Sequence, residues 1–203
     1  LICLDDFDIY MLQWINEANY ITAETFGEFE FLKELKAEGK ALKTGFSFYG
    51  SPQLLDKILS KHPEVDYVQL QINYLDWESP AFRARECYEI AERYGKEIIV
   101  MEPIKGGTLA KLPKAAAEIL SEENPEISAA SWAIRFVASL DNVMMVLSGM
   151  STMEQVEDNL KTFVDFKPLS EEEAKGIDEI VNIINSRVQN GCTGCGYCMP
   201  CPA

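Results

Sequence analysis

Positive charge is scarce in this sequence: 18 Lys and Arg stand against 33 Asp and Glu, a formal net charge of −15 over 203 residues. Such a surface repels polyanions, so nucleic acid and anionic membranes are not expected partners. No apolar run reaches the roughly 20 residues of a membrane span, and the opening Leu1-Ile-Cys-Leu-Asp lacks the basic region of a secretory signal. An initiator Met is also lacking, which fits either a chain without its N-terminus or removal of the Met by processing. Histidine is nearly absent: His62 alone, in a Lys-His-Pro turn, is expected at the surface. No Gly-x-Gly-x-x-Gly follows any apolar run, so the dinucleotide fingerprint of an open doubly wound sheet is missing.

Short apolar runs alternating with amphipathic stretches dominate residues 7 to 165. Strands are expected at Phe7–Gln13, Lys43–Ser47, Tyr67–Ile72, Glu97–Met101 and Val143–Leu147, all near-continuously apolar, as in a parallel sheet covered on both faces. Between them the helix signals are local. A Thr25…Glu28 capping box opens a helix over 26–38, Ser51-Pro52 another to Ser60, Ser79-Pro80 a third ending at Gly95, and Thr152…Gln155 a last one through Phe163. Lesser helices fall near Lys114–Leu120 and Ala129–Ser139. A further helix starts at the box Ser170…Glu173. Its stripe Ile177, Ile180, Val181, Ile184 and Val188 is core packing, expected to lie against the sheet domain and carry the cysteine loop back across it.

The fold class is therefore α/β, with five βα units of about 30 residues each. Five strands cannot close a barrel of eight, which leaves an open doubly wound sheet or most of a (β/α)8 barrel without its first three strands. The missing glycine fingerprint argues against the open sheet. Gln13, Ser47, Asn73 and Glu102 fall at strand C-terminal ends, where barrel enzymes place their chemistry. The expected domains are 1–168, a partial barrel of TIM type corresponding to strands four to eight; 169–190, an amphipathic packing helix; and 191–203, a cysteine-rich loop that begins a ferredoxin-like segment.

That loop holds Cys192, Cys195, Cys198 and Cys201, each three positions from the next. Adjacent thiols on a tight loop cannot all pair as disulfides without strain. Cys-x-x-Cys-x-x-Cys suits three corners of a [4Fe-4S] cluster, with Gly194 and Gly196 letting backbone amides turn toward sulfur. In ferredoxins the Cys before Pro usually serves a second cluster and follows three residues, not the two found here. Zinc is the competing ligand, but zinc sites usually separate their cysteine pairs by a longer loop. The chain stops two residues after Cys201, so the tail reads as cut. Cys3 and Cys87 are expected to be buried bystanders. Clustered thiols without a secretory signal point to a reducing cytoplasm.

Taken in order, five segments resemble the aldo/keto reductases, specifically the branch with an iron–sulfur tail. Asp5-Asp-Phe-Asp-Ile-Tyr-Met-Leu-Gln13-Trp14 resembles the family's fourth strand, and Lys43-Thr-Gly-Phe-Ser47-Phe48 its fifth. Val68-Gln69-Leu-Gln71-Ile-Asn73-Tyr74 is similar to the sixth, and Val100-Met101-Glu102-Pro103-Ile-Lys-Gly-Gly107 to the seventh. Leu147-Ser-Gly149-Met150-Ser151-Thr152-Met-Glu-Gln155-Val-Glu-Asp158-Asn159 resembles the cofactor loop after the eighth. The resemblance implies NAD(P)H as cofactor and a small carbonyl or alcohol as substrate. It places Ser47 and Gln69 on the nicotinamide carboxamide and Met101 on the nicotinamide face, where the family usually has an aromatic residue. It places Gly149, Ser151, Gln155 and Asn159 around the adenosine and its phosphate, with Gln155 in a slot where a basic residue often meets the 2′-phosphate.

The family's Tyr, Lys and Asp lie on its first three strands, which this chain lacks; its fourth catalytic member, a His, is replaced by Gln13. Gln13 can donate an amide hydrogen to a substrate carbonyl but cannot titrate near neutrality. Lys105 beside Gly106-Gly107 is a candidate pyrophosphate contact, Glu102 faces either ligand or a loop ion pair, and Trp14 and Asn16 border the substrate mouth or pack the rim. Two functions follow: an oxidoreductase whose tail cluster relays electrons, with a redox partner protein, or an iron–sulfur electron carrier on a degenerate barrel. Alone, the 203-residue chain is expected to be inactive and prone to associate through open sheet edges.

Overall fold

The computed structural model describes residues 6–164 and 166–187. Cys3, Val188 and the four tail cysteines lie outside the described residues. The apolar runs form strands β1 (Phe7–Ile15), β2 (Ala41–Phe48), β3 (Tyr67–Gln71), β4 (Glu97–Met101) and β5 (Val143–Val146), joined into one sheet in the order β1-β2-β3-β4-β5. Every neighbouring pair is parallel. Consecutive order with right-handed crossovers sends each connecting helix to the same face. A doubly wound sheet needs a reversal of strand order, and the described sheet has none. This is the winding of a barrel wall.

The connecting helices are α1 (Tyr20–Thr25), α2 (Glu28–Ala37), α3 (Pro52–Lys61), α4 (Ala84–Arg93), α5 (Lys114–Glu123), α6 (Ala129–Ala138) and α7 (Met153–Val164), followed by α8 (Glu171–Ser186). A 3₁₀ turn spans Thr108–Ala110. Phe46, Phe48, Val68, Leu70, Ile98 and Val100 point to the helix layer and bury against Leu32, Leu55, Ile58, Leu59 and Ala91. The alternate residues form rows on the opposite face: Gly45, Tyr67 and Glu97, then Ser47, Gln69 and Ile99, then Gln71 and Met101. In the lowest row, a Cβ on Gly45 would stand 2.2 Å from the Tyr67 carbonyl oxygen and 2.8 Å from its ring. Only glycine fits beneath that ring.

A second apolar cluster lies apart from the sheet. Leu109, Ala116, Leu120 and Trp132 receive Ile177 and Ile180 of α8, with Val181 and Ile184 at the margin. The stripe lies against the sheet domain through α5, α6 and the 3₁₀ turn, because the sheet's helix face is already covered. Arg135 of α6 fastens the start of α8 through paired bonds to Glu173, 2.8 and 2.9 Å long.

Caps set by neighbours in sequence form as expected at Ser51-Pro52 and at the Ser170–Glu173 box. The Thr25…Glu28 box does not form. Thr25 ends α1 and donates its hydroxyl to Ile21 O, and Gly27, at φ 69°, separates α1 from α2. The helix expected from Ser79 starts at Ala84, because Ser79 O accepts Arg83 N–H in a separate turn and Arg83 adopts φ 51°. His62 is not a surface residue. It is buried, stacked on Phe29 with ring centroids 4.0 Å apart, and its Nε2 lies 2.6 Å from Glu24 Oε1.

Candidate active site at the strand ends

The C-terminal end of β1 departs from regular strand geometry. Trp14 has φ 63°, uncommon for a bulky residue, and the β1–β2 register shifts between Leu12 and Ile15. The distortion is held from both sides. Trp14 N–H donates to Ser47 Oγ at 2.6 Å, and Trp14 O accepts from the Asn19 amide at 2.6 Å and the Asn16 amide at 3.3 Å. The indole is left 63% exposed at the rim. Such strain persists where surrounding bonds over-determine it, often at functional sites.

Ser47 is fully buried and links two site residues, since its hydroxyl donates to Gln13 Oε1 at 3.2 Å while accepting from Trp14. That bond turns the Gln13 carboxamide oxygen toward Ser47, and its NH2 group can donate to a ligand. Ser47, having spent its proton on Gln13, has an acceptor lone pair left. In the next strand Gln69 Nε2 lies 3.3 Å from Met101 Sδ, both side chains nearly buried. Gln13, Ser47, Gln69 and Met101 therefore run in a line across the strand ends, Ser47 beside Gln69 in register and Met101 one row further along.

A second cluster fixes the loop after β4. Asp76, buried in the β3–α4 connection, accepts from Gln71 Nε2 at 3.0 Å, Asn73 Nδ2 at 2.8 Å and Lys105 Nζ at 2.6 and 2.8 Å. Asn73 also donates to Glu102 O at 3.2 Å. Glu102 and Lys105 have φ 56° and 49°, so two side chains of one loop hold the strained backbone of the next. Lys105 is committed to Asp76 and lies over the Phe82 ring at 4.5 Å. Sequence reading missed Asp76. Its signal was the Asn73-x-x-Asp76 turn, closed by Asp76 N–H on Asn73 Oδ1 at 2.9 Å.

Between the loops after β4 and β5 lies a cleft of about 660 Å³, within the range of small-ligand sites. Met101 forms its floor and Glu102, Gly106, Gly107, Gly149, Gln155, Asp158 and Asn159 are among its walls. Of the residues assigned to the cofactor, Met101, Gly149, Gln155 and Asn159 line it, Gln69 touches its floor, and Ser151 lies at the adjacent helix start. Asn159 donates to Ser148 Oγ at 3.0 Å, tying α7 to the β5 loop. Gln155 folds back on the α7 N-terminus: its Oε1 accepts from Ser151 N–H at 2.7 Å and Thr152 N–H at 3.3 Å, and its own N–H meets Thr152 Oγ1 at 3.4 Å.

Among the described residues no group of three or more His, Cys, Asp and Glu is placed to hold a metal ion; Cys192, Cys195, Cys198 and Cys201 lie outside them. Burial pushes the Cys87 thiol up to about 12, which leaves it unreactive. No described helix is long and apolar enough to cross a membrane.

The chain matches the Aldo/keto reductase family over residues 2–182. No curated protein matches it. Among solved structures, the aldo-keto reductase AKR11C1 from Bacillus halodurans in its holo form is 24% identical with a TM-score of 0.69, over 87% of this chain and 59% of its own. The glycerol dehydrogenase AKR11B4 from Gluconobacter oxydans is 18% identical with a TM-score of 0.69, over 93% of this chain and 62% of its own. An aldo/keto reductase from Klebsiella pneumoniae, solved in complex with NADP and acetate, is 18% identical with a TM-score of 0.68, over 87% of this chain and 59% of its own. The chain spans 59–62% of the length of these solved structures, and the likeness concerns the fold.

Proposed function

This chain belongs to the aldo/keto reductase family, and from that premise we propose that it carries the nicotinamide-binding part of an NAD(P)-dependent oxidoreductase acting on a small carbonyl or alcohol. The observation that carries the proposal is the continuity of the Gln13–Ser47–Gln69–Met101 line of side chains with the cleft between the β4 and β5 loops. A bound nicotinamide would supply the hydride as NAD(P)H or take it up as NAD(P)+. Met101 offers a polarisable thioether to a ring face, and Gln69 and the acceptor lone pair of Ser47 suit the two ends of a carboxamide. Gly149, Ser151, Gln155 and Asn159 surround the adenosine end. Gln13 donates its amide hydrogen to the substrate oxygen, and Trp14 borders the substrate.

The sheet is read as the last five strands of a (β/α)8 barrel. Its winding without reversal supports this, as do the apolar side chains left exposed beside its edges: Phe7 and Phe31 near β1, Met145 and Leu147 at β5. On this reading the proton donor comes from the first three strands, and residues 1–203 alone are inactive. The tail, through Cys192, Cys195, Cys198 and Cys201, is proposed to hold a [4Fe-4S] cluster exchanging single electrons with a partner protein in the cytoplasm. Its support is the cysteine spacing alone.

Gln13, which cannot titrate, sustains the alternative of an electron-transfer protein on an inactive barrel. The deciding experiment uses the full-length protein purified anaerobically, with iron, sulfide and zinc determined beside turnover of NAD(P)H with a panel of carbonyls. Turnover that drops about tenfold or more in kcat/KM for Gln13→Ala supports the oxidoreductase. Iron and sulfide with nucleotide binding absent support the carrier.

A further inference from the structure

Near its C-terminal end β1 carries one residue more than its partner strand. Leu12 pairs with Phe46 and Ile15 with Phe48, so Gln13 and Trp14 together face Ser47. This is a β-bulge, a device that turns a side chain out of the regular pleat and is common beside active sites. The strands meet again directly beyond it, with Tyr49 N–H on Ile15 O at 2.9 Å. Inside the bulge the Trp14 N–H goes to a side chain, Ser47 Oγ, at 2.6 Å. An N–H can only donate, so this bond directs the Ser47 hydroxyl proton elsewhere, and the partner it meets is Gln13 Oε1 at 3.2 Å. A carboxamide held by its oxygen presents its NH2 on the other side. Which end of Gln13 faces a ligand is thus decided at the Trp14 peptide.

Trp14 does not keep that conformation by itself. Its φ of 63° is disfavoured for a bulky side chain, and its exposed indole gains little packing to offset the strain. What holds the peptide is Asn19. Its Nδ2 donates to Trp14 O at 2.6 Å and its Oδ1 accepts Asn16 N–H at 2.9 Å, while Asn16 Nδ2 adds a longer bond to Trp14 O at 3.3 Å. Asn19 stands at the N-cap of α1, where an Asn side chain ordinarily accepts from the first turn of its own helix. Here it makes no such bond. An Asn that leaves its helix uncapped to clamp a strained residue five positions back serves the strand end rather than the helix.

We infer that Asn19 is a positioning residue for Gln13. By holding the bulge it keeps Trp14 N–H on Ser47, Ser47 keeps the Gln13 oxygen, and the Gln13 amide hydrogens are left facing the substrate oxygen. This role rests on the oxidoreductase reading above, in which Gln13 donates to that oxygen. Asn19 itself touches neither substrate nor nucleotide.

Asn19→Asp separates positioning from capping. Aspartate keeps the acceptor for Asn16 N–H and caps a helix as well as asparagine does, but it sets a carboxylate oxygen against Trp14 O where a donor stood. In the full-length protein, isotopically labelled at tryptophan nitrogen and free of ligand, the Trp14 amide signal is identified by its loss in Trp14→Phe. Asn19→Asp should shift this amide proton upfield and speed its exchange about tenfold or more, with the midpoint of thermal unfolding unchanged. With NADH or NADPH and the carbonyl panel, kcat should fall about tenfold while KM for the nucleotide holds. In a Gln13→Ala background the same substitution should cost nothing further. In Trp14→Gly, where a positive φ needs no clamp, its effect should shrink to about twofold or less. A Trp14 amide that does not respond, or one that responds while kcat holds, overturns the proposal and leaves the oxidoreductase reading in place. So does a loss that adds fully to that of Gln13→Ala, or one that comes only with a lowered unfolding midpoint. Absence of turnover in the wild type with every carbonyl overturns the functional reading and this role with it.

Discussion

Lys105 Nζ lies 2.6 and 2.8 Å from the two carboxylate oxygens of Asp76, across 29 residues of sequence. The pair joins the β3–α4 connection to the loop after β4, the loop that forms one wall of the cleft. Asp76 is buried and accepts two further bonds, from Gln71 and Asn73, whereas Lys105 keeps partial access to water. Removing the carboxylate therefore orphans three donors at once.

Asp76→Ala is expected to destabilise the fold by on the order of 2 to 4 kcal/mol, the cost of unpairing buried polar groups. Lys105→Met, which removes the more exposed partner, should cost less. Denaturant unfolding of the two variants checks this. Equal losses, or a loss for Asp76→Ala within error of zero, would remove the cluster from its structural role.

Gly45→Ala should destabilise strongly, by about 3 kcal/mol, because the new Cβ would stand 2.2 Å from the backbone oxygen of Tyr67, where no side-chain motion can relieve it. The midpoint of thermal unfolding is the measurement. A shift of only a degree or two would mean the strands separate more easily than their register suggests.

Around His62 an acid-sensitive contribution is expected. Burial of Glu24 opposes its charge, but hydrogen bonds from Lys61 and His62 outweigh it and bring the carboxyl down to about 2 from 4.5. A depressed carboxylate stabilises the fold above its unfolded pKa and loses that contribution as pH falls through the folded value. The stability lost between pH of about 4.5 and 2 is on the order of 1 to 2 kcal/mol after solvent screening. In Glu24→Gln the corresponding part of the pH dependence should vanish, measured as the difference in unfolding free energy from wild type across that range.

Trp14 should be the most accessible of the three tryptophans, being 63% exposed while Trp132 is 1% exposed. Trp14→Gly is expected to relax the positive φ, with stability unchanged or raised by up to about 1 kcal/mol, and to remove most of the fluorescence that acrylamide quenches. In the full-length protein it should raise KM for the carbonyl more than it lowers kcat.

What could be read from the sequence was what depends on near neighbours. The Ser170–Glu173 box closes over three residues, and the side-chain period of two puts Gln69 and Gln71 on one face, where the strand register sets Ser47 beside Gln69 and Met101 beside Gln71. Thr25…Glu28 had the same pattern and failed, because Gly27 adopts φ 69° and gives Thr25 to the preceding helix. Partners far along the chain left no local mark. Glu24 and Phe29 close over His62 from α1 and α2, and Lys105 reaches back to Asp76. A single polar residue in a turn looks solvated until the segment that buries it is known.

The separation of the interior into two apolar clusters gives the cleft walls of unequal strength. Met101 belongs to the sheet, whereas Ile104 leans on the cluster of α5, α6 and α8. Regions with separate cores open at separate free energies. Warming should loosen the outer wall while the strands still hold, so that amide hydrogens of α8 exchange before those of β3 and β4, and the molecule loses its grip on a ligand well before it loses its shape.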